Sequence, residues 1–400
     1  MALEAPEYIR NLSPYVPGKP IEETQREFGI KRVVKLASNE NPWGPSPRAM
    51  KAVKESLRDL HRYPDASAYH LKKALSAHLK VPTESLLIGN GSNEVIDMVI
   101  RTYCVPGTAI VTSKAAFVAY RICAQIHGVA TLEVPYTEDL RFDLPGILKI
   151  AEEYENARVV FIANPNNPTG TYVNGDELRD FLRKVSRVRG GSVLTVLDYA
   201  YWEYVTASDL PDALPLLQEF PNLVILRTFS KIYGLAGLRV GYGVSSAEIV
   251  ADLEKIRQPF NCNAPGLLAA EHALKDVAFV RSSVKSNQVG MRLWEKSLDE
   301  MGIPYWPSQG NFLLADVGKG LGKRGGDVYL ACLRKGVIFR PVANYGLMNA
   351  LRITVGTPDE NRVAIEALRD EMPGGRVARK AKANGRTSSG GVRRTKRGKG

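Results

Sequence analysis

Residues 223–239 read LVILRTFSKIYGLAGLR, and this stretch joins a strand pattern to a group of polar side chains. Its first four residues, Leu223–Leu226, are continuously apolar, as in a strand that helices cover on both faces. Two hydroxyl residues and Lys231 follow. Lys231 stands among apolar residues and glycines, where loss of water would lower the pKa of its amine and favour the nucleophilic neutral form. Arg239 carries a guanidinium suited to binding a phosphate.

The same pattern of an apolar run, polar or glycine residues and a helical segment recurs upstream. The other apolar runs are Leu86–Ile88, Ala109–Val111, Val159–Ile162 and Val193–Leu197. The segments between them carry helix signals, because apolar residues are spaced at i, i+3, i+4 and i+7 from Ile96, and Asn174 with Glu177 resembles a capping box. This alternation predicts an α/β fold with a large, mostly parallel sheet flanked by helices.

A second, smaller unit is indicated towards the C-terminus. Val337–Phe339 and Leu351–Val355 have strand patterns, and Asp359–Met372 has the pattern of an amphipathic helix. We therefore expect a large domain over residues 45–265, a smaller α+β domain formed by residues 1–44 and 266–372, and a basic tail over residues 373–400.

The net charge of +12 is concentrated in this tail. Residues 373–400 contain ten Lys or Arg and no acid, which leaves 44 basic and 42 acidic residues in the rest of the chain. Such a segment has little to bury and is expected to be disordered. Two interpretations stay open: a solvated appendage, which we favour, and a segment that binds nucleic acid by counterion release, with the chain as a noncatalytic binding protein.

Composition favours a cytoplasmic protein without a membrane partner. The start, Met1–Glu7, lacks the basic and apolar segments of an export signal, and no window approaches the roughly 18 apolar residues of a membrane span. The four cysteines are far apart, which is typical of a reducing compartment, and with the five histidines they form no metal-ligand pattern.

In parallel sheets ligands bind beyond the carboxyl ends of the strands, so the residues after each run are the candidates. Gly89–Asn93 opens a helix near Glu94 and could hold a phosphate on free N–H groups, although an ordinary turn with Ser92 or Asn93 as N-cap explains it as well. Asn167 lies in a loop that two prolines and a glycine constrain. Asp198 ends a buried strand, where its carboxylate needs a cation or a helix to cap.

Eight motifs taken together make the chain resemble the class I/II pyridoxal-phosphate aminotransferases of the aspartate aminotransferase fold, and among them the histidinol-phosphate aminotransferases. The resemblance runs from about residue 15 to about residue 368. The motifs are Pro14–Pro20, Ser38–Pro42, Arg62–Asp65, Gly89–Ser92, Asn166–Gly170, Thr228–Lys231, Gly234–Arg239 and Leu351–Thr357.

The resemblance implies a role for each matching residue. Lys231 would carry pyridoxal 5′-phosphate and move the proton between substrate and cofactor, Asp198 would keep the ring nitrogen protonated, and Tyr201 and Asn167 would bind the 3-oxygen. The residues that would bind the phosphate are Gly91, Ser92, Asn93, Thr228, Ser230 and Arg239. Tyr63 matches a tyrosine that reaches the phosphate from the neighbouring subunit, which implies a homodimer with shared active sites.

The chain departs from the family pattern at three places. Phe117 matches the aromatic residue that stacks on the cofactor, but Ala115 and Ala116 replace a common Pro-Thr pair, and a core phenylalanine is the alternative. Tyr199 replaces a usual glutamate, and Asn93 replaces a common aspartate. Because Asp198 and Tyr201 are in place, we expect the cofactor chemistry to survive the change at Tyr199. The change at Asn93 removes a negative charge near the phosphate site and should do no harm.

Two arginines and a tyrosine are the expected substrate ligands. Arg352 matches the arginine that binds a carboxylate, Arg340 matches a second family arginine, and Tyr15 adds a hydroxyl. Two guanidiniums suit a dianionic phosphate, so we expect transamination between L-histidinol phosphate and 2-oxoglutarate. An aromatic amino-acid aminotransferase and a phosphothreonine decarboxylase share nearly all the cofactor residues and stay open as alternatives.

Overall fold

The computed structural model of the protein describes residues 3–12 and 18–373. The predicted substrate ligand Tyr15 and residues 374–400 of the predicted basic tail lie outside the described residues. Within the described part, no helix combines the length and the apolar character that crossing a membrane requires.

A seven-stranded sheet forms the centre of the fold, in the order β2-β8-β7-β6-β5-β3-β4. Six strands run parallel, and β8 is antiparallel to both of its neighbours. The strands of this sheet are β2 (Leu86–Gly89), β3 (Ala109–Ser113), β4 (Ala130–Val134), β5 (Ala157–Ala163), β6 (Leu194–Asp198), β7 (Leu223–Thr228) and β8 (Gly241–Val244). The predicted α/β fold with a large, mostly parallel sheet is therefore confirmed.

The sheet is covered by helices on both faces, which is why its strands are apolar without alternation. Every residue of β2, β3, β6 and β7 is buried, and the strands pack with apolar side chains of the helices into one large core. The helices of the chain are α1 (Glu7–Arg10), α2 (Ile21–Phe28), α3 (Pro47–Ser56), α4 (Tyr69–Leu79), α5 (Ser92–Tyr103), α6 (Ala119–Ile126), α7 (Leu144–Glu153), α8 (Gly175–Val185), α9 (Ala247–Ile256), α10 (Ala264–Leu274), α11 (Val277–Met301), α12 (Val317–Leu321), α13 (Gly325–Leu333) and α14 (Pro358–Arg369). Short 3₁₀ helices join several of them.

A second core lies around a four-stranded antiparallel sheet with the order β12-β13-β10-β9. Its strands are β9 (Tyr305–Trp306), β10 (Phe312–Asp316), β12 (Arg340–Pro341) and β13 (Ala350–Thr354). The N-terminal part of the chain joins this region because β1 (Val34–Lys35) pairs in parallel with β11 (Val337–Ile338). The expected division into residues 45–265 and residues 1–44 with 266–372 stays a prediction.

Sequence signals predicted the ends of some helices more accurately than those of others. The capping box of Asn174 and Glu177 at α8 is confirmed, and α14 begins with a second capping box, formed by Thr357 and Glu360. The predicted helix start near Glu94 was two residues late, because α5 begins at Ser92 with a glycine as its N-cap. The predicted strand Val337–Phe339 is divided, since the chain leaves β11 after residue 338 and joins another sheet at residue 340.

Candidate active site

The carboxyl ends of the parallel strands surround a cavity of about 360 Å³. Loops after β3, β5, β6 and β7 and the start of α5 supply its walls. The lining residues are Ser92, Asn93, Phe117, Ala163, Pro165, Asn167, Asp198, Ala200, Tyr201, Thr228, Ser230, Lys231 and Arg239. Ten of them are residues that the sequence analysis singled out, so the sheet brings together side chains that are up to 147 positions apart in the sequence, from Ser92 to Arg239.

Lys231 lies in the loop after β7, where its amine faces the cavity. Burial lowers the pKa of Lys231 to about 8, and the positive charge of Arg352 adds to this effect. The Nζ atom donates a hydrogen bond of 3.2 Å to the carbonyl oxygen of Ser38, and it lies 5.7 Å from the centre of the Tyr201 ring. An amine with this pKa is partly neutral near pH 7 to 8, so it is able to act as nucleophile and as base.

Asp198 presents a buried carboxylate to the same cavity from the end of β6. Its Oδ2 atom accepts a hydrogen bond of 2.7 Å from the Tyr120 hydroxyl, and its Oδ1 atom accepts one of 3.1 Å from the Ala200 N–H. Desolvation nevertheless raises the pKa of Asp198 above its ordinary value. The two hydrogen bonds and the nearby charge of Lys231 act against this rise without cancelling it, so a cation bound in the cavity would further offset the cost of burying the carboxylate.

Backbone and guanidinium donors converge at the start of α5. Gly91, the N-cap of α5, has a φ of 78°, and a Cβ atom there would lie 2.3 Å from a guanidinium nitrogen of Arg239. Arg239 donates to the Ser230 Oγ atom over 3.3 Å, and Thr228 Oγ1 accepts a hydrogen bond of 3.1 Å from the Ser230 N–H. The close approach of Arg239 to a helix N-terminus creates a positively polarised wall suited to an anion.

Asn167 and Arg352 form a contact at the border of the two cores. Arg352 is buried and donates a 2.6 Å hydrogen bond to Asn167 Oδ1 and a further hydrogen bond to the Ala37 carbonyl oxygen. The Arg352 guanidinium occupies the Oδ1 atom of Asn167. The Nδ2 atom of Asn167 is therefore the atom that is able to donate a hydrogen bond into the cavity.

Four predicted site residues that the structure describes are not among those that line the cavity, namely Tyr63, Gly91, Arg340 and Arg352. Gly91 and Arg352 nevertheless contact lining residues, because Gly91 lies beside Arg239 and Arg352 donates to Asn167. Arg340 lies on β12 directly opposite Arg352 on β13, so both side chains project from the same face of that sheet. Tyr63 is 82% exposed and stacks on Phe260 with ring centroids 4.7 Å apart.

The three departures from the family pattern are compatible with this geometry. Phe117 lines the cavity and packs edge-to-face on Tyr120, with centroids 5.8 Å apart. Tyr199 is fully buried and stacks on Trp202, 5.6 Å between centroids. Asn93 lines the cavity beside the anion-binding wall.

Sequence reasoning missed two residues that contact the site. Tyr120, whose hydroxyl binds Asp198, follows Phe117 by three residues, and this helical spacing was the available signal. Asn39 donates a 2.9 Å hydrogen bond from Nδ2 to the Tyr201 hydroxyl. It lies inside the motif Ser38–Pro42, but nothing in the spacing indicates a contact with residue 201.

Comparison with known proteins agrees with the geometry. Residues 31–368 match the family model of aminotransferase class I and II. The chain is 46% identical over 369 residues to histidinol-phosphate aminotransferase 2 of Pseudomonas fluorescens strain Pf0-1, covering 92% of this chain and 97% of that protein. A histidinol-phosphate aminotransferase of Anaeromyxobacter sp. strain Fw109-5 is 46% identical over 363 residues, covering 91% of this chain and 97% of the relative.

Solved structures extend the comparison. The histidinol-phosphate aminotransferase of Sinorhizobium meliloti in complex with pyridoxal-5′-phosphate superposes with a TM-score of 0.80 at 28% identity, covering 91% of this chain and 96% of that one. The Thermus thermophilus aspartate aminotransferase with maleate has the same fold, with a TM-score of 0.80 at 16% identity, covering 93% of this chain and 100% of that one. The chain therefore belongs to the family of class I and II aminotransferases.

Proposed function

We propose that this enzyme transfers the amino group of L-histidinol phosphate to 2-oxoglutarate, a step of histidine biosynthesis, with pyridoxal 5′-phosphate as cofactor. One observation carries the proposal. The buried carboxylate of Asp198 and the buried amine of Lys231, whose pKa is lowered, line the same cavity. The relatives that are 46% identical to the chain are histidinol-phosphate aminotransferases, and the match covers 97% of each of them.

The cavity fits pyridoxal phosphate in three respects. The Asp198 carboxylate is desolvated, and a protonated pyridine ring would supply a positive charge that offsets this burial. The Lys231 amine is available in its neutral form. Gly91 adopts a φ of 78°, which favours glycine, and it brings the start of α5 close to the Arg239 guanidinium, as a phosphate site requires. The residues proposed to hold the cofactor are Gly91, Ser92, Asn93, Phe117, Asn167, Asp198, Tyr201, Thr228, Ser230, Lys231 and Arg239.

When bound, pyridoxal phosphate supplies an electron-accepting ring that stabilises negative charge at the substrate Cα. Lys231 would hold the cofactor through its amine, and once the substrate amine has replaced it there, the same amine would be free to move a proton to and from the substrate Cα. Asp198 would keep the ring nitrogen protonated. Tyr201 and the Nδ2 atom of Asn167 would donate to the 3-oxygen, and Phe117 would pack on the ring and exclude water.

The two arginines account for two different substrates. Glutamate brings a carboxylate to this end of the site, whereas histidinol phosphate brings a phosphate and no carboxylate. The register of β12 and β13 places Arg340 opposite Arg352 on one face. One guanidinium suffices for a carboxylate, and a second one matches the extra charge of a phosphate.

A panel of amino donors, measured on the wild type and on Arg340→Ala, tests this substrate assignment. In single turnover we expect histidinol phosphate to react at least about 100-fold more efficiently than phenylalanine or phosphothreonine. Loss of a charged hydrogen bond worth about 1.5–3 kcal/mol in Arg340→Ala should lower kcat/KM for histidinol phosphate by about 10–100-fold and leave glutamate much less affected.

Arg334, an exposed arginine at the C-cap of α13, offers a matched control, and Arg334→Ala should react like the wild type with both donors. Equal losses for histidinol phosphate and glutamate in Arg340→Ala would remove the phosphate role from Arg340. Preference for phenylalanine or phosphothreonine in the wild type would replace the proposed substrate with one of these alternatives.

A homodimer with shared active sites is part of the proposal. Tyr63 would reach the cofactor phosphate of the partner subunit, and its 82% exposure in the single chain supports an intermolecular role. Trp43, Leu57 and Leu60 are exposed apolar side chains in the same part of the sequence, and a subunit interface would bury such residues. We also propose a cytoplasmic location, which four free cysteines support.

A further inference from the structure

Three consecutive residues between β1 and α3 contact three polar side chains of the active site. The carbonyl oxygen of Ala37 accepts from Arg352, and that of Ser38 accepts from Lys231 Nζ over 3.2 Å. Asn39 is the third residue, and it alone acts through its side chain. Its Nδ2 atom donates to the Tyr201 hydroxyl over 2.9 Å.

Asn39 is held in one orientation by the second core. It is 1% exposed, and its φ of 55° lies in the left-handed region, where asparagine is better tolerated than most residues. Its N–H donates to Thr354 Oγ1 over 3.0 Å, and the Thr354 hydroxyl donates to Asn39 Oδ1 over 2.9 Å. Asn311 Nδ2 donates to the Asn39 carbonyl oxygen over 3.1 Å. Asn39 therefore connects β13, which carries Arg352, with the cavity wall.

In this hydrogen-bond arrangement Asn39 is the donor to the Tyr201 hydroxyl oxygen. The single hydroxyl proton of Thr354 is used on Asn39 Oδ1, so the amide nitrogen of Asn39 faces Tyr201. Since the Tyr201 oxygen accepts from this nitrogen, its own proton points to another acceptor. Tyr201 lines the cavity, so a ligand bound there is able to accept that proton.

We propose that Asn39 is a positioning residue that keeps the Tyr201 hydroxyl a hydrogen-bond donor towards the 3-oxygen of the cofactor and thereby sets the ionisation of the bound cofactor. This inference rests on the proposed function, because it uses the proposed contact between Tyr201 and that oxygen. Burial raises the pKa of Tyr201 to about 12, so the phenol keeps the proton that it has to donate across the neutral range.

The test compares holoenzymes of the wild type, Asn39→Asp and Asn39→Gly by the pH at which the absorption of the bound cofactor changes. Asn39→Asp keeps the side-chain size but offers only acceptors, so it would attract the Tyr201 proton away from the cavity. Asn39→Gly accepts the positive φ without strain and removes the amide. It covers the case in which the aspartate variant does not fold.

We expect the midpoint to rise in both variants, by about one pH unit in Asn39→Asp and by less in Asn39→Gly, because one neutral hydrogen bond corresponds to about one unit. The direction follows because a 3-oxygen that has lost a donor holds an adjacent proton more tightly. Tyr201→Phe serves as reference and should raise the midpoint at least as far as Asn39→Gly.

Asn41→Ala is the matched structural control. Asn41 is buried two residues away and donates to the Ile232 carbonyl oxygen over 2.7 Å and to Ser283 Oγ over 3.1 Å, and none of the hydrogen bonds described for it involves Tyr201. It should lower the melting temperature without moving the midpoint. If both Asn39 variants melt earlier but keep the wild-type midpoint while Tyr201→Phe shifts it, Asn39 has a structural role only and the inference is overturned. A wild-type protein that binds no cofactor would refute the proposed function itself.

Discussion

Replacing Lys231 with alanine is expected to lower the rate of transamination by at least about 10⁴-fold. The physical reason is that no other amine lines the cavity in the described part of the chain, and Lys231 would serve both as the attachment point and as the proton carrier. The fold should survive, because alanine removes a side chain whose desolvated amine is costly to bury. Phosphate contacts through Arg239 and the start of α5 should still allow reversible cofactor binding.

Single-turnover kinetics of Lys231→Ala with histidinol phosphate would measure this loss, and circular dichroism would verify the fold. Lys255→Ala is the control, since Lys255 is an exposed lysine on α9 that pairs only with Asp252 among the partners described for it. It should retain wild-type rates. Substantial turnover by Lys231→Ala would show that another group performs the proton transfer and would overturn the assignment.

Replacing Asp198 with asparagine is expected to have opposite effects on activity and stability. Turnover should fall by about 10²–10³-fold, because the amide cannot hold the ring nitrogen protonated as a carboxylate does. The cofactor-free protein should become more stable at pH 7, by about 1–2 kcal/mol, since the variant no longer buries a desolvated charge.

The pH dependence of that gain has a defined sign. The folded-state pKa of Asp198 is raised above the ordinary value of 3.8. Below 3.8 the carboxyl group is protonated in both the folded and unfolded states and costs nothing. As the pH rises towards the folded-state pKa, the unfolded state gains from ionisation first, so the wild type loses stability relative to Asp198→Asn.

Denaturant unfolding of the cofactor-free proteins at pH 4 and pH 7 would measure this difference. Asp252→Asn, which neutralises an exposed carboxylate on α9, is the control and should show no comparable gain. A stability gain in Asp198→Asn that is equal at both pH values, or absent at pH 7, would mean that burial of the Asp198 charge is not the cause.

The fold was predictable wherever several apolar residues follow one another, because a strand with one face in water alternates apolar and polar residues instead. Leu223–Leu226 and Val193–Leu197 are such runs, and both are central parallel strands. The antiparallel strand Gly241–Val244 was not anticipated, because two of its four residues are glycines and no apolar run marks it. Glycine is required there, since a Cβ atom on Gly241 would lie 2.3 Å from the Ser92 backbone nitrogen.

The candidate site was predictable where the relevant residue follows a strand or falls in a recognised motif. Asp198 and Lys231 are of this kind. Tyr120 and Asn39 were missed because their contacts join residues 78 and 162 positions apart, and only the folded sheet brings them together. Arg340 could be predicted only in part. Its match to a family arginine indicates a substrate role, but its position beside Arg352 depends on the register between β12 and β13, which the sequence does not show.

Attachment of pyridoxal 5′-phosphate to Lys231 is the central claim. The purified protein should be titrated with the cofactor, treated with borohydride, digested and analysed by mass spectrometry. We predict a new absorption band that saturates at one cofactor per chain and a covalent label confined to the peptide that contains Lys231. Absence of cofactor uptake, or a label on a different lysine, would contradict the account.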